Sequence, residues 1–305
     1  MSLRIRGLTN FPVVYASAIF PIMGVEKGKK LNQLQRLLPE GLVVNASWLE
    51  GHGYSSQLRS RYLSNGWLEQ PARGAYRRPG GKLLWQHVVI SLQNLLELPL
   101  TVGGRTALEL HGYSHYVSAS GIREVHLYGD NPLPGWTKKL NLDVKLIFHN
   151  AKKLFGEEPI PRGLSSVRWN LDDQAFIGQD PLHGGLTRMM WGQWDWPITL
   201  STPERAILEL LDEIPGNETF HQADKLIEGL RTLSPRRLQK LLEDCRSVKV
   251  KRLFLWFADR HGFRWKLQLN EDRVDLGTGK RMLVRGGKLN SKYGITVPED
   301  LDGSE

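Results

Sequence analysis

The segment YSSQLRSRYLSNGWLEQPARGAYRRPGG, residues 54–81, decides the fold of the N-terminal part of the chain. Its first half has helical spacing over residues 55–64, and the pair Asn65-Gly66 is typical of a helix end. Its second half contains two short stretches, WLEQ and GAYRR, that can pair as a hairpin around residues 71–74. The segment therefore predicts a helix followed by a basic β-hairpin.

The residues before this segment complete a recognisable order of elements. KGKKLNQLQRLLPEG, residues 27–41, has leucines at helical spacing and ends at a proline and a glycine. GLVVN then predicts a short strand, and Asn45 is a favourable cap for a brief second helix. The order is helix, strand, helix, turn, helix and hairpin, which is the order of a winged helix-turn-helix.

One face of the third helix suits contact with DNA. Its outer residues are serines, a glutamine and an arginine, with no carboxylate, and such side chains can donate to phosphates and base edges. Arg59 lies nearer the buried edge, where a phosphate contact or a snorkelling role is expected. The hairpin arginines suit phosphate or the minor groove. The predicted DNA-binding residues are Ser56, Gln57, Arg59, Ser60, Arg61, Ser64, Arg73, Arg77 and Arg78. The alternative is a solvated helix beside a charged hairpin.

The charge is unevenly distributed along the 305 residues, whose formal net charge is +9. Residues 1–90 carry a net charge of +8 and residues 246–292 carry +9, so the rest of the chain is acidic. Two basic ends favour a polyanionic partner. A possible second basic surface comprises Lys249, Lys251, Arg252, Arg260, Arg264 and Lys266. It would contact DNA, an acidic partner protein or that partner's nucleic-acid substrate, or it is a solvated helix face.

The remainder of the chain predicts a larger mixed domain. A helix is expected over residues 82–98, and REVHLYG, VKLIFHN and SVRWNL resemble strands. Helices follow in STPERAILELL, over residues 220–230 and 235–245, and in VKVKRLFLWFADRHG, before a tail of alternating strands and glycine turns. The fold class is therefore α+β. The predicted domains are an arm, a winged helix-turn-helix and a larger domain: residues 1–27, 28–98 and 99–305.

No catalytic or metal-binding constellation is evident. His111 and His115 lack a third ligand, and the Gly103-Gly104 turn suits packing better than phosphate binding. DLGTGKR, residues 275–281, lacks the spacing of a phosphate-binding loop, and Cys245 is expected to be structural. One cysteine excludes an internal disulfide and a cysteine-based zinc cluster. We therefore expect a binding protein without enzyme activity, cofactor or metal.

Two other classes of function remain open. A metal-dependent nuclease would use acidic residues such as Asp172 and Asp173. An RNA-binding protein would need stacking aromatics, for which Trp191, Trp194 and Trp196 are the crowded set, although a core role is favoured.

The N-terminal apolar stretch FPVVYASAIF, residues 11–20, is short and is broken by Pro12 and by Pro21 directly after it. It therefore predicts an arm rather than a secretory signal. No apolar run is long enough for a membrane span, and a cytoplasmic protein without a membrane partner is expected.

Four stretches of the chain resemble the AbiEi antitoxins of bacterial abortive-infection toxin–antitoxin systems. They are LRSRYLSNGWLEQPARGAYRRPGG (residues 58–81), GGRTALELHGYSHYV (103–117), STPERAILELL (201–211) and LNSKYGITVP (289–298). The resemblance implies an N-terminal winged helix-turn-helix followed by a larger antitoxin domain.

The resemblance also implies partners. Family members repress their own promoter by binding inverted repeats in double-stranded DNA. They counter a nucleotidyltransferase-like toxin of the AbiEii type, directly or indirectly. The chain lacks the Gly-Ser turn and paired aspartates of such a transferase, so the resemblance implies the antitoxin. The residues on α-helix 55–64 and the hairpin would then be its DNA contacts.

Overall fold

The computed structural model describes residues 27–113, 121–156, 168–169, 176–177 and 185–301. The chain divides into two compact units, residues 1–37 and residues 38–305. Helix α1 (Lys27–Leu37) is the described part of the first unit, and every later element belongs to the second. The boundary predicted between residues 98 and 99 falls inside the second unit, so the domain limits stay a prediction.

The N-terminal elements occur in the order of a winged helix-turn-helix, as predicted. After α1 come β1 (Val43–Asn45), α2 (Ala46–Gly51), α3 (Ser56–Ser64), β2 (Glu69–Ala72) and β3 (Ala75–Arg77). The strands form an antiparallel sheet in the order β1-β3-β2. The predicted hairpin is therefore the wing of a three-stranded sheet, and the winged helix-turn-helix prediction is confirmed.

Side-chain caps determine where the two short helices begin. The Asn45 Oδ1 atom accepts a hydrogen bond from the Trp48 N–H at 2.8 Å, and Ser55 Oγ accepts one from the Leu58 N–H at 3.3 Å. Between the helices the chain turns at Gly53, whose φ of +82° is accessible to glycine without strain. These signals are local, which is why both helices could be predicted from the sequence.

The helix that follows the wing differs from its prediction. Residues 82–98 were expected to form one helix, but α4 (Trp85–Ile90) continues as a π-helical segment (Ser91–Leu95). Gln93 in this segment is buried, and its side chain donates to the Thr199 carbonyl at 2.9 Å and accepts from the Thr199 N–H at 3.0 Å. The segment is thus joined to the larger sheet by a polar contact inside the core.

The larger sheet is mixed and five-stranded, in the order β6-β5-β4-β10-β9. The β4–β10 and β5–β6 pairs are parallel, and the β4–β5 and β9–β10 pairs are antiparallel. Strands β7 and β8 form a separate antiparallel pair. The bounds are β4 (Leu100–Val102), β5 (Glu124–Gly129), β6 (Lys145–Asn150), β7 (Arg168–Trp169), β8 (Phe176–Ile177), β9 (Leu186–Trp191) and β10 (Trp196–Ser201).

A buried helix, α6, lies at the centre of the larger domain. Every residue from 204 to 211 is buried, and α6 packs against α5, α7, α8, α9 and β10. None of the described helices combines the length and the apolarity needed to cross a bilayer. The helices are α5 (Gly104–Leu110), α6 (Pro203–Asp212), α7 (Phe220–Glu228), α8 (Pro235–Asp244) and α9 (Val248–Arg260).

The glycine pair at the start of α5 lies against a buried carboxylate. The Gly104 N–H donates to Glu209 Oε2 at 2.9 Å, so a carboxylate from α6 lies at the N-terminus of α5. A Cβ atom on Gly103 would lie 2.3 Å from the same oxygen and 2.5 Å from the Tyr128 ring. The glycines therefore serve packing, as predicted, because the backbone must approach a buried carboxylate closely.

The tail was predicted to alternate between strands and glycine turns, and that prediction is largely wrong. Only β11 (Lys288–Asn290) and β12 (Ile295–Val297) are strands, and they pair antiparallel. Short 3₁₀ turns and loops form most of the rest. In the loop after them, the Leu276 and Gly277 carbonyls bind the Arg252 side chain of α9 rather than a neighbouring strand.

Candidate nucleic-acid interface

Helix α3 presents a polar face to solvent. Tyr62 and Arg59 are its buried side chains, and Gly66, with a φ of +70°, reverses the chain just after its end. Ser64 Oγ donates to the Arg61 carbonyl at 2.9 Å, so the Ser64 hydroxyl keeps its acceptor side for a ligand. The exposed residues are Ser56, Gln57, Ser60, Arg61 and Ser64. This is the predicted outer face, and the helix carries no carboxylate.

Arg59 does not belong to this face, contrary to the predicted set of DNA-binding residues. Its side chain is only 9% exposed, its Nη2 atom pairs with Glu50 Oε1 at 2.8 Å, and its Nη1 atom donates to the Tyr54 carbonyl at 3.0 Å. The guanidinium carbon lies 5.7 Å from the centre of the Tyr76 ring. Arg59 therefore links α2, the turn and the wing.

The tip of the wing carries one exposed arginine. Arg73 and Gly74 form a two-residue turn between Ala72 and Ala75, which are paired across the hairpin. Gly74 has a φ of +89°, a conformation that glycine adopts without strain. The Arg73 side chain is exposed at this turn. Its guanidinium is therefore available to a phosphate.

The other two wing arginines are bound within the protein, which corrects the prediction of a three-arginine wing. Arg77 Nε donates to Glu69 Oε2 at 2.8 Å, and its side chain is 12% exposed. The strand register pairs Glu69 directly with Arg77, and opposite charges at such positions attract. Arg78 is half-buried and donates to the Leu38 carbonyl at 3.3 Å.

The predicted second basic surface is not a surface. Lys251 and Arg252 are each 4% exposed, inside the buried part of α9. Lys249 donates to the Ile214 carbonyl at 2.8 Å, near the C-terminus of α6. The alternative, a solvated helix face, is also wrong for Lys251 and Arg252, because both are buried.

The remaining members of that set are dispersed. Arg260 pairs with Asp224 at 2.9 Å, and Lys266 pairs with both Asp259 and Glu271. These contacts raise the pKa of Lys266 against the opposing effect of its burial. Arg264 is exposed.

The tryptophans considered for RNA stacking do not form an open platform. Trp196 is buried, and Trp191 contacts the His87 ring edge-on at 5.0 Å between centroids. Trp194 is 54% exposed on the β9–β10 turn. Trp191 and Trp196 therefore pack against the protein, in agreement with the predicted core role, and Trp194 does not.

The described residues contain no group of three or more histidine, cysteine, aspartate or glutamate side chains arranged to hold a metal. His111 Nε2 hydrogen-bonds to the Ser201 carbonyl at 3.0 Å. Burial raises the pKa of the Cys245 thiol to about 11, which suits a structural residue. His115, Asp172 and Asp173 lie outside the described residues.

A buried histidine pair is the most developed titratable cluster of the larger domain. His126 Nδ1 lies 2.9 Å from His149 Nε2, and His149 Nδ1 lies 2.9 Å from Glu213 Oε1. Burial lowers the pKa of His126 to about 4, so this ring is neutral near pH 7. The cluster joins β5, β6 and the end of α6, and its contacts are those of a structural network.

Two family models match the chain. "Transcriptional regulator, AbiEi antitoxin N-terminal domain" matches residues 27–119, and "Transcriptional regulator, AbiEi antitoxin, Type IV TA system" matches residues 178–298. Among solved structures, the RV2827C protein from Mycobacterium tuberculosis is similar, with 17% identity, 88% of this chain and 89% of that chain covered, and a TM-score of 0.47. No curated protein matches.

Proposed function

Since the chain belongs to the AbiEi family of antitoxin transcriptional regulators, we propose that it binds double-stranded DNA at its own promoter and represses that promoter. Helix α3 would enter the major groove, and the tip of the wing would contact the backbone beside it. The observation that carries this proposal is the exposed, carboxylate-free face of α3 with Arg73 exposed on the neighbouring hairpin.

The interface combines two kinds of contact. Arg61 suits a bidentate pair with guanine, and Gln57 suits one with adenine, so these residues would read sequence. The serines at Ser56 and Ser60 are small, which lets the helix approach the groove closely, and their hydroxyls suit phosphates. Arg73 would add charge without reading bases. Inverted repeats in the promoter would position two copies of α3.

The promoter proposal is tested by fluorescence anisotropy with the duplex upstream of the gene and a scrambled duplex, over a series of salt concentrations. Saturable binding that prefers the native duplex at physiological salt supports it. Equal binding to both duplexes, declining together as salt rises, would show that the protein contacts only phosphates. Autorepression would then be abandoned.

Replacing Arg61 with alanine is expected to reduce the preference for the native duplex. The loss of a bidentate base contact costs about 1–3 kcal/mol and relaxes selectivity at one base position. Anisotropy with duplexes that differ at single positions measures this change. Arg236→Ala is the matched control, because Arg236 is exposed on α8 and its replacement removes the same charge away from α3. Equal effects of the two variants would contradict the role of α3.

Replacing Arg73 with alanine is expected to weaken binding to native and scrambled duplexes alike. A lost phosphate contact lowers the slope of log affinity against log salt by about one. The same salt series measures this slope, with Arg236→Ala again as the control. An unchanged slope would remove the wing tip from the interface.

We further propose that the protein counters a toxin of the AbiEii-like nucleotidyltransferase type. The family description, which places such regulators in a type IV toxin–antitoxin system, supports this role. Co-expression of the protein from an unrelated promoter with the neighbouring toxin gene should restore growth. Growth arrest that persists while both proteins accumulate would overturn this part of the proposal.

A further inference from the structure

Most of the exposed cations of the C-terminal region that lack an ion pair within the described residues lie on the tail. No aspartate or glutamate occurs from residue 276 to residue 298. Lys280, Arg281 and Arg285 are exposed, and their side chains make no ion pair or hydrogen bond with any residue that the structure describes. This surface was missed because the charge of residues 246–292 was assigned to α9.

A cavity of about 390 Å³ opens within this positive segment. Its polar lining combines glycines of the DLGTGKR motif with lysines, a serine hydroxyl and a buried guanidinium. The lining residues that bear on anion binding are Arg252, Gly277, Gly279, Lys280, Ser291 and Lys292. The motif lacks the spacing of a phosphate-binding loop and precedes no helix, so affinity for an anion must come from the cationic side chains and the serine hydroxyl.

Arg252 holds the wall of the cavity in place from beneath. Its guanidinium donates to the carbonyls of Leu276 at 2.7 Å, Gly277 at 3.1 Å and Gly279 at 2.6 Å. Carbonyl oxygens carry partial negative charge and would repel an anion. Here the buried guanidinium of Arg252 binds these carbonyls and offsets that repulsion. The Arg252 side chain also contributes a positive charge that water screens poorly, because the residue is buried.

The loop needs glycine to keep this shape. Gly277 has a φ of +59°, and a Cβ atom there would lie 3.0 Å from the Val248 side chain on α9. Gly279, with a φ of +76°, has open space where its Cβ would lie, so a ligand can approach its backbone closely.

One of the two lysines is already held in position. Lys292 Nζ donates to Asp259 Oδ2 at 2.6 Å and lies 5.0 Å from the centre of the Tyr293 ring. The same carboxylate also binds Lys266, so it is shared between two cations. Lys280 has no such partner among the described residues, and its charge is the one available to a ligand.

We infer that this cavity binds a phosphate group, with Lys280, Lys292 and the Ser291 hydroxyl as its contacts. The phosphate belongs either to a free nucleotide or to a nucleic-acid strand, since both carry the group that these residues recognise. The site is separate from α3 and the wing, and it goes beyond promoter binding.

The test uses the full chain carrying Arg61→Ala, which weakens the α3 contact so that Lys280→Gln in the same background reports the contribution of the cavity. Calorimetry with adenosine triphosphate and anisotropy with a short labelled single strand are the two arms. Binding of a probe that depends on Lys280 supports the site, and the probe that binds identifies the source of the phosphate. Lys280→Gln should then weaken that binding about ten-fold, the value of one charge-assisted hydrogen bond.

Arg285→Gln is the matched control, because it removes the same charge from the same segment outside the cavity. It should change affinity by no more than about two-fold, as expected of an exposed charge. Equal losses in the two variants, or no binding of either probe, would overturn the inference. If Lys280→Gln without Arg61→Ala keeps the preference for the native promoter duplex, the two sites act separately. An unchanged thermal unfolding midpoint of this variant would show that its fold is intact.

Discussion

Replacing Arg252 with alanine is expected to lower the free energy of unfolding by about 3–5 kcal/mol, because several carbonyls would lose a buried charged donor. The guanidinium binds carbonyls between Leu276 and Gly294, so its loss also releases the tail from α9. Urea denaturation followed by tryptophan fluorescence measures this loss.

Arg264→Ala is the matched control, since Arg264 belongs to the same predicted basic set and is exposed. It should change stability by at most about 0.5 kcal/mol. If Arg252→Ala instead kept full stability and weakened binding to nucleic acid, the basic surface predicted from the sequence would be restored. The comparison therefore distinguishes a structural cation from a ligand-binding one.

Replacing Glu209 with alanine is expected to cost about 3–5 kcal/mol of stability, because it leaves a buried charge without its partner. Arg205 Nε pairs with Glu209 Oε1 at 2.9 Å, and both side chains are 0% exposed. The same carboxylate accepts from the Ser201 hydroxyl and from the Gly104 N–H. Burial raises the pKa of the Glu209 carboxyl, and these donors oppose that effect.

Two further variants, a control and a double substitution, test this prediction. Glu228→Ala removes an exposed glutamate from α7 and should leave the denaturation midpoint nearly unchanged. The double variant Arg205→Met with Glu209→Leu should recover much of the loss, because apolar side chains of similar volume can replace a buried ion pair. A single variant as stable as the parent would mean that the ion pair contributes nothing to the core.

The elements of the N-terminal part could be predicted because their signals are local. Asn45 and Ser55 cap helices within three residues, and Gly66 and Gly74 occupy turns that require positive φ. The outer face of α3 follows from helical spacing alone. The tail could not be predicted in this way, because its carbonyls bind a side chain of α9 from more than twenty residues away.

The sequence by itself therefore determined the winged helix-turn-helix, the α+β class and the carboxylate-free face of α3. Only the tertiary structure decided which basic residues face water. A buried arginine is tolerated where the fold brings distant acceptors to it, as with Arg59 and Glu50 or Arg252 and the tail carbonyls. The net charge of a sequence counts buried and exposed cations equally. It cannot show which cations are buried, because the acceptors around each cation come together only on folding.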